Sequence, residues 1–331
     1  MAEARAVILA GDIGGTRTRL GSFDADGERP RLRRFALYPS REVRGLAEVV
    51  TRFLAEEATA FSAACFGIAG PVRDGRVETS NLPWRIEGRE LAAILGLDAV
   101  TLLNDLEANA HALPLLGPDD LVLLSAGEPD PTGTLGLVSA GTGLGEAGLV
   151  WDGARHRPFA SEGGHADFAP RSRLEIDLLV WLQRQFGHAS VERVLSGPGL
   201  HNLLRFLVDT GRGEAPAWLE VEMEQGDPAA AIARAALEKR VPVCELALET
   251  LVSVYGAEAG NLALKLLATG GVYLGGGIAP RILPALREPR FLAAFHDKGR
   301  MRGLLEKIPV AVIRNEQAAL LGAARVGLFG R

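Results

Sequence analysis

The chain has 331 residues, enough for two domains of about 150 residues each. Its 47% hydrophobic and 23% charged content excludes a disordered chain, and a net charge of −5 argues against a nucleic-acid partner. The 40 glycines follow no collagen-like period, and the two cysteines, Cys65 and Cys244, allow at most one disulfide and no four-cysteine zinc site. The first apolar run, residues 6–10, is shorter than the roughly 7–15 residues of a signal-peptide core. No uncharged apolar run reaches the about 18 residues of a membrane span. The expectation is a cytoplasmic enzyme with reduced thiols and no membrane partner.

Residues 7–9, 20–23 and 32–37 read as three successive strands separated by glycine or Asp-Gly turns, one of them Asp26-Gly27. A helix follows over 42–57, with Val43, Leu46, Val49, Val50 and Leu54 on one face. Strand 63–68, helix 87–95, strand 99–103 and helix 105–113 complete an α/β pattern with crossovers. A second unit then opens as the first did. Val7 to Thr16 and Leu137 to Gly145 each give an apolar strand, a glycine-rich turn and a second strand, so two related domains facing a cleft are expected. Beyond it, residues 174–186, 200–209, 228–237 and 241–268 carry helical periodicity. Strands at 272–274 and 309–313 precede a terminal helix over 316–328.

Several segments carry residue types suited to chemistry. Gly11-Asp12-Ile13-Gly14-Gly15-Thr16 joins two strands, and glycine lets backbone N–H groups approach a phosphate with no Cβ in the way. The same hexapeptide also suits a plain tight hairpin. Asp12 offers the oxygen ligand that hydrated Mg²⁺ prefers. Neither the P-loop pattern nor the Rossmann fingerprint fits, since a strand rather than a helix follows the turn. Gly141-Thr142-Gly143 is the matching turn of the second unit, and Gly275-Gly276-Gly277 ends a later strand, suited to lie under an adenosine ring.

Asn104-Asp105 ends a strand and opens a helix. Asp105 is either an N-cap or a general base that takes a hydroxyl proton late in phosphoryl transfer. In Glu162-Gly163-Gly164-His165 a carboxylate and an imidazole flank two glycines; with no cysteine nearby, a polyol site suits them better than zinc. Glu192 is a further candidate. Trp84, after Asn81-Leu82-Pro83, either packs or closes over a ligand, and His111, His156, His188, His201 and His296 read as structural.

Taken in order, these segments resemble the bacterial glucokinase family, of the proteobacterial type. The resemblance rests on Gly11 to Thr16, Leu103-Asn104-Asp105, Ala140 to Gly145, Glu162 to Pro170, Glu192 to Gly199 and Gly275 to Ile278. Phe295 to Arg300 and Pro309 to Ile313 also look like the family's C-terminal region. It implies two actin-like ATPase (ribonuclease H-like) α/β lobes, with mixed β-sheets and flanking helices around a central cleft. Residues 1–110 with 314–331 would form the smaller lobe, and 111–313 a larger lobe with helical insertions. The implied activity is ATP-dependent phosphorylation of glucose at the 6-hydroxyl, feeding glycolysis, in a homodimer with MgATP and no structural zinc. Asp105 would be the catalytic base. Asn104, Asp105, Glu162, His165 and Glu192 would hold the sugar. Gly11, Asp12, Ile13, Gly14, Gly15, Thr16, Gly141, Thr142, Gly143, Gly276 and Gly277 would hold ATP.

Three positions depart from the pattern: Arg17 stands where Asn is expected, Glu146 where an apolar residue is common, and Gly70-Pro71 in place of Cys-Pro. The nearest rival is a repressor–sugar-kinase relative acting on mannose, fructose or an N-acetylhexosamine. Its zinc-bearing branch has a cysteine-rich segment after Glu-x-Gly-His, where this chain has Ala166-Asp167-Phe168-Ala169-Pro170. A sugar-responsive regulator would place a helix-turn-helix ahead of the first strand, near residue 6, which leaves no room for one. A filament subunit has no need of a polar Asn104, Asp105, Glu162 and His165 set.

Overall fold

The computed structural model describes residues 6–25, 29–57, 59–79 and 82–330; the expected Asp26-Gly27 turn and Asn81 lie outside them. The chain divides into two compact units. The first holds residues 1–119, 157–159 and 315–331, and the second 120–156 and 160–314.

In the first unit, strands β1 (Val7–Ile13), β2 (Arg17–Asp24), β3 (Arg31–Pro39), β4 (Ala63–Ile68) and, after three short strands β5 (Val72–Arg73), β6 (Arg76–Glu78) and β7 (Arg85–Glu87), β8 (Thr101–Asn104) alternate with helices α1 (Leu46–Ala55), α2 (Gly88–Leu95) and α3 (Asp105–Ala112). The main sheet runs β3-β2-β1-β4-β8. β2 runs antiparallel to both of its neighbours, β3 and β1, and β1, β4 and β8 are parallel.

Successive side chains of a strand point to opposite faces, so this sheet feeds two cores. Leu9, Ile13, Phe66 and Ile68 pack with Leu46, Val49, Val50 and Phe53, the i, i+3, i+4, i+7 stripe of α1. Ile8, Ala10, Cys65 and Leu103 face the other way, against α3 and the C-terminal helix Ala318–Phe329. That helix shows little amphipathic contrast because most of it is buried.

The second unit has strands β9 (Leu121–Ser125), β10 (Leu135–Ala140), β11 (Leu144–Trp151), β12 (His156–Ser161), β13 (Gly271–Gly275) and β14 (Val310–Ile313), in the order β12-β11-β10-β13-β14-β9. The run β11-β10-β13-β14 repeats β2-β1-β4-β8: an antiparallel hairpin with a glycine turn, then two parallel neighbours. The duplication read from the two glycine turns is thus present in strand order, and each unit is a mixed α/β lobe. Helices α4 (Arg173–Phe186), α5 (Gly197–Asp209), α6 (Ala217–Gln225), α7 (Pro228–Leu237) and α8 (Pro242–Leu266) build the larger core. Gly256 and Gly260 of α8 are packing positions. A Cβ on either would run into the backbone carbonyls of Phe291 or Phe295 on the helix Pro289–His296.

The helix expected over 42–57 starts instead at Leu46, after a short 3-10 turn over Ser40–Glu42. Val43 is still buried in the same core, which is why the apolar spacing merges turn and helix. The strands of two or three residues and the edge strand β9 lie where the sequence shows no period. Cys65 and Cys244 are both buried thiols, and the one possible disulfide is not formed.

Candidate active site

In the first unit the candidate residues collect at the C-terminal ends of the parallel strands, the edge where open α/β sheets bind ligands. Register fixes this: Asp12 pairs with Gly67, and Ile68 with Asn104. The turn Gly14-Gly15-Thr16 closes between β1 and β2 with the Gly14 N–H donating to the Arg17 carbonyl, 3.0 Å. Ser40, buried in the 3-10 turn, holds it from behind: its hydroxyl donates to the Gly14 carbonyl at 2.8 Å and its N–H to the Thr16 carbonyl at 3.0 Å. No sequence pattern singles out Ser40, because it acts across the sheet edge. Gly11 lies inside β1 rather than in the turn, and its missing Cβ makes room for the Phe66 ring.

Asp12 is 13% exposed and pairs with Arg19 at 2.8 Å. Burial pushes its carboxyl above the ordinary 3.8, the Arg19 guanidinium opposes that, and the Asp105 charge adds to the rise.

The N-cap of α3 falls one residue before Asp105. Asn104 is the N-cap, extended at φ −67° and ψ 150°, and its Oδ1 accepts from the Leu106 N–H at 2.9 Å. Asn104 also donates through Nδ2 to the Gly70 carbonyl at 3.2 Å, which ties the helix start to the strand-end loop. Asp105 is the first residue of α3. One of its oxygens shares the Leu106 N–H at 2.9 Å, and burial raises its carboxyl above 3.8. Gly67 lets α3 come close, since a Cβ there would lie 2.7 Å from that of Ala108.

In the second unit, Gly141-Thr142-Gly143 joins β10 to β11 and leaves Thr142 exposed. The Gly141 N–H donates to the Gly143 carbonyl, and the Gly197 N–H donates to that of Gly141, both at 2.8 Å. Glu192 supports the same turn: its Oε2 accepts from the Leu144 N–H at 2.8 Å. Beside it β13 ends at Gly275, paired with Ser139 in parallel register, and Gly276-Gly277 follow. Gly276 has φ 79°, and a Cβ there would run into the Ala140 carbonyl, so only glycine fits.

Glu162 precedes a 3-10 turn over Gly163–His165, His165 closes it, and both are exposed. Gly164 at its centre sits directly on the Leu144 carbonyl, with no room for a Cβ. The Val191 N–H donates to the Ala166 carbonyl at 3.0 Å, which brings the Glu162–His165 turn beside the one that carries Glu192. Trp84 is a core residue of the first unit. Among the described residues, no group of three His, Cys, Asp or Glu side chains is placed to hold a metal ion.

The glucokinase family model matches residues 9–328. A glucokinase of Nostoc punctiforme is 42% identical, with 96% of this chain and 98% of the relative covered. The crystal structure of a glucokinase from an Antarctic psychrotroph superposes with a TM-score of 0.87 at 30% identity, covering 98% of this chain and 99% of that one. A ROK-family glucokinase from Streptomyces griseus, solved with glucose and AMPPNP, shares the fold at 22% identity and a TM-score of 0.64, covering 97% and 99%. The chain belongs to the glucokinase family.

Proposed function

We propose that the chain transfers the terminal phosphoryl group of ATP to the 6-hydroxyl of D-glucose, giving glucose 6-phosphate and ADP. The family match across residues 9–328 carries the substrate assignment. The position of Asp105 supports the mechanism. A sugar hydroxyl is too weak an acid to ionise first, so its proton leaves as the oxygen bonds to phosphorus. Asp105 is suited to take it, because Asn104 performs the cap and the acid stands at the strand-end edge.

Asn104, Glu162, His165 and Glu192 are assigned to the sugar, where carboxylates accept from hydroxyls and the amide and imidazole donate or accept. Glu192 has a second duty, since one of its oxygens already holds the Leu144 N–H. Gly11 to Thr16, Gly141 to Gly143 and Gly276-Gly277 are assigned to the nucleotide, with Gly11 contributing through packing. The chemistry of Asp12 fits Mg²⁺, which would enter with ATP and needs only one or two protein carboxylates. When bound, Mg²⁺ neutralises phosphate charge. No described helix is long and apolar enough to cross a membrane. Cytoplasmic, homodimeric operation with the product entering glycolysis completes the reading, on the strength of the family resemblance.

A coupled assay for ADP release across glucose, mannose, fructose, galactose and N-acetylated hexoses tests the assignment. Glucose should lead by about tenfold or more in kcat/KM, because a misplaced hydroxyl leaves a polar group of the sugar site unpaired. A higher value for any other sugar would overturn it. In the same assay Gly164→Ala should raise the KM for glucose about tenfold, as the added methyl lifts the Glu162–His165 turn off Leu144.

A further inference from the structure

Glu146, the acid that departs from the resemblance, lies on β11 and is 1% exposed. Its Oε2 lies where a Cβ of Gly163 would be, directly beneath the Glu162–His165 turn. Its Oε1 has no hydrogen-bond partner among the described residues. The group it faces is another acid, Glu258 of α8, which is 5% exposed. Glu258 has its own compensation: Asn261 Nδ2 donates to it at 2.9 Å, and Lys265 Nζ stands 3.4 Å away. Lys298 extends the network, donating to Asn261 Oδ1 at 2.6 Å and to the Ala257 carbonyl at 2.9 Å.

Two buried carboxyl groups in contact cannot both be ionised cheaply. Lys265 and Asn261 serve the Glu258 side of the pair, so the proton belongs on Glu146, where it donates to Glu258. We propose that protonated Glu146, seated on the Glu258 carboxylate, is the internal support of the Glu162–His165 turn and thus a positioning residue for sugar binding. The inference rests on the assignment of that turn to the sugar.

Burial first, and the Glu258 charge second, raise the Glu146 carboxyl from 4.5 to about 7, with Lys265 opposing. The charges that act on Glu146 are those of Glu258 and Lys265 on α8; Lys298 joins the same network through Asn261 and itself feels Arg171, Asp297 and Glu258, while Glu162 and His165 belong to the turn above. A carboxyl raised in the fold stabilises below its unfolded value of 4.5 and loses that contribution as pH climbs through about 7. Above that, two like charges lie under the turn.

The test is the KM for glucose of the full chain between about pH 6 and about pH 8.5, with kcat followed in parallel. The wild type should show KM rising about tenfold with little change in kcat. Glu146→Gln, neutral and still able to donate to Glu258, should hold KM low and flat. Its melting temperature should also lack the wild type's decline from about pH 5 to about pH 8. His165 is retained in both proteins, so the difference between their profiles belongs to Glu146. A flat wild-type profile, or the same rise in Glu146→Gln, overturns the proposal. Absence of glucose turnover at every pH would instead overturn the functional reading, while the melting curves still report the pair.

Discussion

Asp105→Asn should lower kcat about 100- to 10,000-fold while glucose still binds. Asparagine keeps an oxygen to accept the Leu106 N–H, so the start of α3 is preserved and only proton acceptance is lost. Stability gives the second half of the expectation. Burial raises the Asp105 carboxyl above 3.8, so its ionised form weighs against the fold at neutral pH, and the cost is complete once pH has passed the raised value. Removing that charge should leave the melting temperature equal or higher. The same charge raises Asp12, so Asp12 should take up its proton at lower pH in the variant. Glucose 6-phosphate formation by single turnover, isothermal titration with glucose and a melting curve separate these effects. Turnover near that of the wild type would remove Asp105 from the chemistry. In the wild type, the acid limb of kcat/KM should lie above the ordinary carboxylate range, since protonated Asp105 cannot accept.

The sequence makes the strand-end motifs legible because glycine, Asn-Asp and Glu-x-x-His are local signals, and their order identifies a family. Strand order is partly legible too: two glycine hairpins suggest a duplication, and β2-β1-β4-β8 against β11-β10-β13-β14 shows it. What stayed hidden depends on partners distant in the chain. Ser40 reaches the Gly14 carbonyl from 26 positions away, and Glu192 reaches the Leu144 N–H from 48. Nothing near either residue announces those bonds. Glu146 was visible only as an anomaly, because the Glu258 that explains it lies on α8. The glycine surplus divides the same way. Gly276 is explained by its turn, but Gly256, Gly260 and Gly322 sit inside helical patterns where glycine normally costs about 0.5–1 kcal/mol against alanine. Such glycines persist because another backbone occupies the space of their side chain.

Gly322 is the strongest such case and yields the second large effect. It lies in the C-terminal helix against α3, and a Cβ there would overlap the Ala108 carbonyl oxygen and lie 2.9 Å from both the Ala108 carbonyl carbon and the Ala112 nitrogen. All three obstacles are backbone, so no rotamer change relieves them. Gly322→Ala gains about 0.5–1 kcal/mol in helix propensity, yet forcing the helices apart costs about 1–3 kcal/mol or more. The clash wins. The net cost, up to about 2.5 kcal/mol, should lower the melting temperature by up to about 10 °C, whereas Gly303→Ala, with nothing within 4 Å of its Cβ, should be neutral or slightly stabilising. Gly327→Ala meets only the Ile8 side chain at close range, which can shift, so it should fall between the two. The catalytic consequence follows from connectivity: Ala108 is one turn along the helix that begins with Asp105. A displacement of about 1 Å at a reacting group can cost about 100-fold, so Gly322→Ala should lose kcat even at temperatures where it remains folded. Retained kcat with a lowered melting temperature would mean that α3 yields at its C-terminal end and holds Asp105 fixed through Asn104 and the Gly70 carbonyl. Pairing Gly322→Ala with Asn104→Ala would decide this: if Asn104 is the anchor, the double variant loses far more kcat than the product of the single losses.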